Sequence, residues 1–171
     1  MEILLVKERY GDIEAAEIHA RIDGVIVGTL EYSVNPDNPY RVSLGTIQVI
    51  DSRWQNKGVA TSLVRGFVKE VGAGRQVDAE ICNDETYENL SRMGIFEFAS
   101  MRPETFLVGN AEIFKGSPVL RALGRGGVDI SSLTIENRAL LPGFSGMNFT
   151  NFTPDEERYR LVFKGVTRAR I

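Results

Sequence analysis

Between residues 41 and 71 the apolar side chains change their period, and that change limits what the chain can fold into. Arg41 to Ile50 reads as a strand, ending Ile47-Gln48-Val49-Ile50. The stretch Arg53-Trp54-Gln55-Asn56-Lys57-Gly58 then passes through a polar, glycine-bearing turn. Beyond it Ala60, Leu63, Val64, Phe67, Val68 and Val71 recur at helical spacing, with Ser62, Arg65, Lys69 and Glu70 facing away. A half-apolar strand feeding at once into a half-apolar helix must bury one against the other, so the chain belongs among folds that layer helices on a sheet.

The flanking segments extend that layer. Met1 to Lys7 reads as a first strand. Residues 14 to 22 alternate, with Ala16, Ile18, Ala20 and Ile22 on one face and Glu17, His19 and Arg21 on the other. Asp23-Gly24 has the chemistry of a two-residue hairpin turn, Val25 to Val34 is the returning strand, and Asn35-Pro36-Asp37-Asn38-Pro39 turns the chain toward Arg41. Downstream, Gly72 and Gly74 end the helix and Val77, Ala79 and Ile81 alternate as a further strand. Asn83 or Asp84 caps a second helix running to about Met93 and stopped by Gly94. This order predicts an α/β (α+β) fold: a mixed, mostly antiparallel central sheet with flanking helices.

The C-terminal part is less legible. Thr105 to Val108 and Ala111 to Phe114 read as a strand pair around Gly109-Asn110, and Ser117-Pro118 as the cap of a short helix through Leu123. Ser132 to Ala139 reads as a strand and Leu141 to Phe152 as a loop rich in Gly, Asn and Phe. Thr153-Pro154-Asp155-Glu156 is a capping box, and Tyr159, Leu161 and Phe163 alternate into a last strand.

Composition closes off several classes of function. The 171 residues, 43% apolar and 25% charged, suffice for a core of their own. With one His and one Cys, a His/Cys zinc site is excluded, no metal is expected, and Cys82 forms no internal disulfide. A net charge of −3 gives no general field for a nucleic-acid backbone. The cluster Arg158, Arg160, Lys164, Arg168 and Arg170 reads as a solvated strand edge or tail. No stretch approaches the roughly 20 apolar residues of a membrane span, and acidic Glu2 stands where a signal peptide carries basic residues. A cytoplasmic location is therefore expected.

The turn at 53–58 has a second reading. Backbone N–H groups converging at a helix N-terminus lack intrahelical partners and gain from the helix dipole, which makes such a turn an anion site. Gly58 permits positive φ and close backbone approach, and the small Ala60 leaves room for a ligand. Lys57 and Arg53 add charge outside this cradle. The order of Lys57 before Gly58 is not that of a Walker A loop, and the dinucleotide fingerprint is absent.

Gln55-Asn56-Lys57-Gly58-Val59-Ala60 resembles the signature of the GNAT superfamily of acyl-CoA-dependent N-acyltransferases: Gln or Arg, two residues, Gly, one residue, Gly or Ala. The strand ending Ile47-Gln48-Val49-Ile50, Trp54 and Leu63-Val64 fit the same pattern, as does a helix opened by Asn83 and closed by Gly94 with Ile95 and Phe96 beyond. The resemblance covers roughly residues 1 to 96. It implies that Val49 and Ile50 pair with the pantetheine arm of acetyl-CoA, that Gln55, Asn56, Lys57, Gly58, Val59, Ala60 and Thr61 surround its pyrophosphate, and that Asn83 hydrogen-bonds the arm. It also implies direct attack of an amine on the thioester, aided by a base, an oxyanion donor and an acid.

The chain departs from the pattern where that chemistry is usually performed. Leu44 stands where many members carry a glutamate base, and Leu90 where many carry a tyrosine acid. Tyr87, one turn before Leu90, is a candidate acid, and Glu80 and Glu31 are candidate bases. Lys7 to Glu14 leaves room for only a turn where the family has two helices, so the acceptor side is more open or is rebuilt from residues 97–171. These expectations amount to a core over residues 1–96, with residues 97–171 completing the same domain. The alternative is a noncatalytic scaffold of this type that binds a protein partner, and a third reading is an enzyme modifying an amine of another protein. His19 shows no evident carboxylate or metal partner in the sequence and reads as structural, and Cys82 as a small buried hydrophobe.

Overall fold

The alternating residues 14–34 fold into two antiparallel strands about Asp23-Gly24, whose φ angles of 51° and 77° are the left-handed conformation that a two-residue hairpin demands. A computed structural model of the chain describes residues 1–10, 13–34, 36–80, 106–107, 118–137 and 159–168. Strands β1 (Glu2–Tyr10), β2 (Ile13–Ile22), β3 (Val25–Val34) and β4 (Arg41–Val49) form an antiparallel meander. β1 runs past Lys7, because its register with β2 continues to Tyr10 opposite Ile13.

The chain divides into two compact units. The first comprises residues 1–79, 118–131 and 164–171. It holds β5 (Gln76–Glu80) as far as Ala79, the start of β7 (Val128–Asn137) and the end of β8 (Tyr159–Thr167) beside the meander, in the order β1-β2-β3-β4-β5-β8-β7. With helices α1 (Val59–Val71) and α2 (Pro118–Gly126), this is the expected mixed, mostly antiparallel sheet, with seven strands and two helices. The second unit comprises residues 80–117 and 132–163. Among its described residues, β6 (Phe106–Leu107) pairs antiparallel with the far part of β7, Phe106 opposite Ile135.

α1 covers the sheet because its apolar stripe is one face wide. Val59, Leu63, Val64, Phe67 and Val68 are buried, as are Ile18, Leu30 and Val42 of the strands. Each such side chain contributes about 1.5–3 kcal/mol relative to exposure. Phe67 meets Tyr32 edge to face, centroids 5.2 Å apart. The helix stops at Gly72, whose φ of 83° takes the chain out of the helical region. α2 continues to Gly126, past the expected end at Leu123, because that glycine lies against α1: a Cβ there would sit 2.3 Å from Val64 Cγ1. Gly127, at φ 111°, then turns the chain directly into β7, which therefore begins at Val128 instead of Ser132. β8 extends to Thr167, whose Oγ1 donates to Gly72 O (2.6 Å) and accepts from Arg75 N–H (2.9 Å). The helix expected at 83–93, the remainder of the pair at 105–114, the loop at 141–152 and the capping box at 153–156 lie outside the described residues.

Candidate functional site

β4 has two halves. Its first residues pair in parallel with β5, Arg41 opposite Gln76, Val42 opposite Val77 and Ser43 opposite Asp78, and the ladder ends there. Side chains clamp this half: Ser43 Oγ donates to Asp78 Oδ1 (3.0 Å), while Arg41 Nε donates to Oδ2 (2.7 Å) and Arg41 Nη2 reaches the same oxygen. Just beyond, the register against β3 slips. Tyr32 faces Leu44 and Leu30 faces Ile47, so Gly45 and Thr46 together oppose Glu31. Two residues against one is a β-bulge, which bends its strand and sharpens its twist.

From Leu44 to Val49, then, β4 has no strand partner on the β5 side among the described residues. Ile50 N–H donates to Val27 O (2.9 Å), toward β3. Strand alternation therefore turns the N–H and C=O of Val49 and Ile47 toward the open edge. Val49 presents backbone groups there, whereas the amide of Ile50 is already engaged.

The open edge runs directly into the turn before α1. Asp51 caps a 3-10 turn over Ser52–Trp54. Its carboxylate accepts from Arg53 N–H (2.9 Å), Nε (3.0 Å) and Nη2 (2.6 Å). Those bonds hold the Asp51 carboxyl below the usual carboxylate range, and the same pairing raises Arg53. Arg53, expected to lend charge to the cradle, is folded back on its own neighbour instead.

Asn56 and Gly58 take φ of 59° and 84°, flanking exposed Lys57. The first helical amide with a helical carbonyl is that of Ser62, which reaches Gly58 O at 3.0 Å. The N–H groups of Val59, Ala60 and Thr61 are thus left without helical partners, and Gly58 at the N-cap has no side chain to take them. Any other residue at 58 would have space for its Cβ but would carry about 1–2 kcal/mol of left-handed strain. Buried Val59 fixes the start of the helix against Gly28, where a Cβ would lie 2.7 Å from Val59 Cγ1. Gln55 is exposed, and Ala60 and Thr61 are half-buried. These elements form one continuous run of chain, from the outward backbone groups of Val49 to the helix amides of Val59, Ala60 and Thr61.

On the sheet face away from α1, a hollow of about 390 Å³ lies along β2, β3 and β4, lined by Val6, Glu17, Glu31, Ser33, Ser43 and Gly45 among others. Glu31 and Glu17 are cross-strand partners. Gly45 leaves room for the Glu31 carboxylate, whose Oε2 lies 3.5 Å from where a Cβ would be. His19 does have a carboxylate partner, contrary to the expectation from sequence: its Nε2 lies 3.1 Å from Glu17 Oε2, because residues two apart on a strand share a face. Leu44 is buried in the core, and its aliphatic side chain offers no proton-transfer group. Burial, then Glu70 and Glu14, push the Tyr32 hydroxyl up to about 12.

Of the remaining expected residues, Asn83 and Tyr87 lie outside the described residues, and Glu80 is described only in its backbone, at the end of β5. No group of three His, Cys, Asp or Glu side chains suited to a metal occurs among the described residues. No described helix is long and apolar enough to cross a membrane. The bulge and the Arg41–Ser43–Asp78 clamp were not foreseen. An isolated glycine inside a strand, Gly45, was the available signal for the first. The second depended on the parallel register of β4 and β5, which is set through α1.

No family model matches the chain, and no curated protein matches it. Among solved structures it is similar to the diaminobutyrate acetyltransferase of Paenibacillus lautus in complex with L-2,4-diaminobutyric acid and coenzyme A, at 16% identity and TM-score 0.44, covering 91% of this chain and 72% of that one. It is similar to the aminoglycoside 6'-N-acetyltransferase of Enterococcus faecium at 16% identity and TM-score 0.43, covering 92% and 77%. A GNAT-family acetyltransferase of Streptococcus pneumoniae aligns at 9% identity and TM-score 0.43, covering 90% and 66%. At such identities the roles of individual residues rest on this chain's own geometry.

Proposed function

We propose that the chain is an N-acyltransferase that moves an acetyl group from acetyl-CoA to an amine of a small molecule or protein. The observation that carries this reading is the end of the β4–β5 ladder at Ser43, which among the described residues leaves a free strand edge leading into the left-handed Gly58 and the first amides of α1 without partners. An extended amide-bearing arm ending in a pyrophosphate has the complementary chemistry. The outward groups of Val49 and Ile47 pair with the arm as a strand would, and the amides of Val59, Ala60 and Thr61 receive the phosphate oxygens. Gln55, Asn56 and Lys57 border them, and Asn83 extends the contact from beyond β5.

Acetyl-CoA supplies the acyl group and a thiolate that leaves readily. The chain's part is to bind, orient and move protons. The hollow beside the bulge receives the amine, where Glu31 takes the proton that an ammonium must lose before it can attack. An outward-turned β4 N–H donates to the carbonyl oxygen as charge develops on it. Glu80, the last residue of β5, and Tyr87 remain the second base and the acid for the departing thiolate. No metal enters these steps.

Calorimetric titration with acetyl-CoA, followed by thiol-release assays over a panel of small amines, diamines and lysine peptides, tests this reading. Micromolar binding with turnover on at least one amine is expected. Absence of binding would overturn the reading, and binding without turnover on any amine would leave the noncatalytic scaffold, the reading that Leu44 favours.

A further inference from the structure

β1 stands first in the strand order, and its outer edge has no partner among the described residues. Edge strands in lone sheets alternate polar and apolar residues and guard themselves with charge or proline. β1 instead opens with Ile3-Leu4-Leu5-Val6, apolar on both faces. Ile3 and Leu5 share the α1 side with their partners Ala20 and Ile18, while Leu4 and Val6 share the other with His19 and Glu17. Ile3, Leu4 and Leu5 are only half-buried, and Val6 is 39% exposed.

Beside this edge, a hollow of about 310 Å³ opens between β1 and α1. Its floor is Ile3, Leu5 and Ile18, and exposed Arg65, Lys69 and Glu70 stand along it. Gly66 lies over Ile3, where a Cβ would be 2.8 Å from Ile3 Cγ2.

We infer that β1 is the interface of a two-fold homodimer, in which it pairs antiparallel with β1 of a second copy. A two-fold interface brings a patch onto itself, and residues opposite one another must lie on the same face of the joined sheet. With Leu4 on the axis, Ile3 faces Leu5, Glu2 faces Val6 and Met1 faces Lys7 of the second copy. Ile3, Leu4 and Leu5 cover one another, and no charge meets a like charge, which cross-strand pairing would penalise. The charges along the α1 hollow point to the same occupant. They comprise two cations and one anion, a mixed set that a second copy of the same surface matches in kind. A partner of single-signed charge would meet repulsion from one of the two signs.

The test uses the full chain in a Cys82→Ser background. Sedimentation is expected to give twice the chain mass, and Leu4→Lys to return it to the monomer with its circular dichroism unchanged. Leu4→Cys places two thiols on the axis and is expected to form a disulfide-linked dimer on mild oxidation. Val6→Cys, whose thiols are about 13 Å apart along the strands in this register, is expected to cross-link at least tenfold less. A monomer at every concentration, a Leu4→Lys chain that stays dimeric, or equal cross-linking at positions 4 and 6 would each overturn the inference. The cysteine pair decides it should Leu4→Lys fail to fold.

Discussion

The two halves of β4 are built from similar residues and do opposite things. Val42 and Ser43 are paired on both edges, by β3 and by β5, and the side chains of Arg41 and Ser43 are tied to Asp78. Leu44 to Val49 is paired on one edge only among the described residues. The difference lies in one extra residue, Gly45 or Thr46, opposite Glu31. A strand in a closed ladder stores no binding capacity, while one bent away from its neighbour offers ordered donors and acceptors that are already fixed in direction. Preorganisation of this kind lowers the entropic cost of binding an extended ligand.

Breaking the open half at its far end should have the largest effect. Gly58→Glu places a carboxylate beside the phosphate cradle at a left-handed position and should weaken acetyl-CoA binding by more than about 100-fold, measured by calorimetry, with the fold retained. Glu31→Gln should lower turnover by about 100-fold while leaving acetyl-CoA affinity unchanged, a separation that steady-state kinetics beside calorimetry will read.

Proline at neighbouring positions sharpens the contrast. Ile50→Pro removes the N–H that donates to Val27 and should cost about 1–3 kcal/mol in urea unfolding. Val49→Pro removes an N–H turned to the open edge and should instead reduce acetyl-CoA affinity by about tenfold at smaller cost to the fold. On the closed half, Asp78→Ala leaves Ser43 and Arg41 without their acceptor and should destabilise by about 1–2 kcal/mol in the same measurement.

The smallest effect is confined to alkaline solution. The Tyr32 hydroxyl has its affinity for the proton raised from 10.0 to about 12, so the unfolded chain loses that proton first. Its contribution is fully present below pH 10.0 and declines as the pH rises toward about 12, a loss that Tyr32→Phe should remove from the pH profile of stability.

Sequence reached the fold through periodicity and turn chemistry. The hairpin at Asp23-Gly24, the start of α1 after Gly58 and its stop at Gly72 are local, each set by residues within one turn of the feature. What escaped was set by contacts distant in the chain. α2 runs past Leu123 because Gly126 meets Val64, and β7 starts early because Gly127 turns the chain out of α2. The clamp on Asp78 joins residues 35 or more positions apart. His19 misled for the opposite reason, since its partner Glu17 was two residues away and visible. The candidate site divides the same way: the left-handed turn into α1 was readable from Gly58, whereas the position of Glu31 beside the bulge depended on the pairing of β3 with β4.

Arg53 folded onto Asp51 has an electrostatic consequence for how the turn meets an anion. With that guanidinium compensated by a carboxylate, Lys57 is the one ionic side chain from Gln55 to Thr61, has no ion-pair partner among the described residues, and leaves the rest of the proposed attraction to fixed peptide dipoles at contact range. Mobile ions screen over a Debye length of about 10 Å at 0.1 M salt and act weakly on donors that touch the ligand. Association here should therefore vary little with ionic strength, where a site built from mobile lysines and arginines would loosen steadily as salt is added.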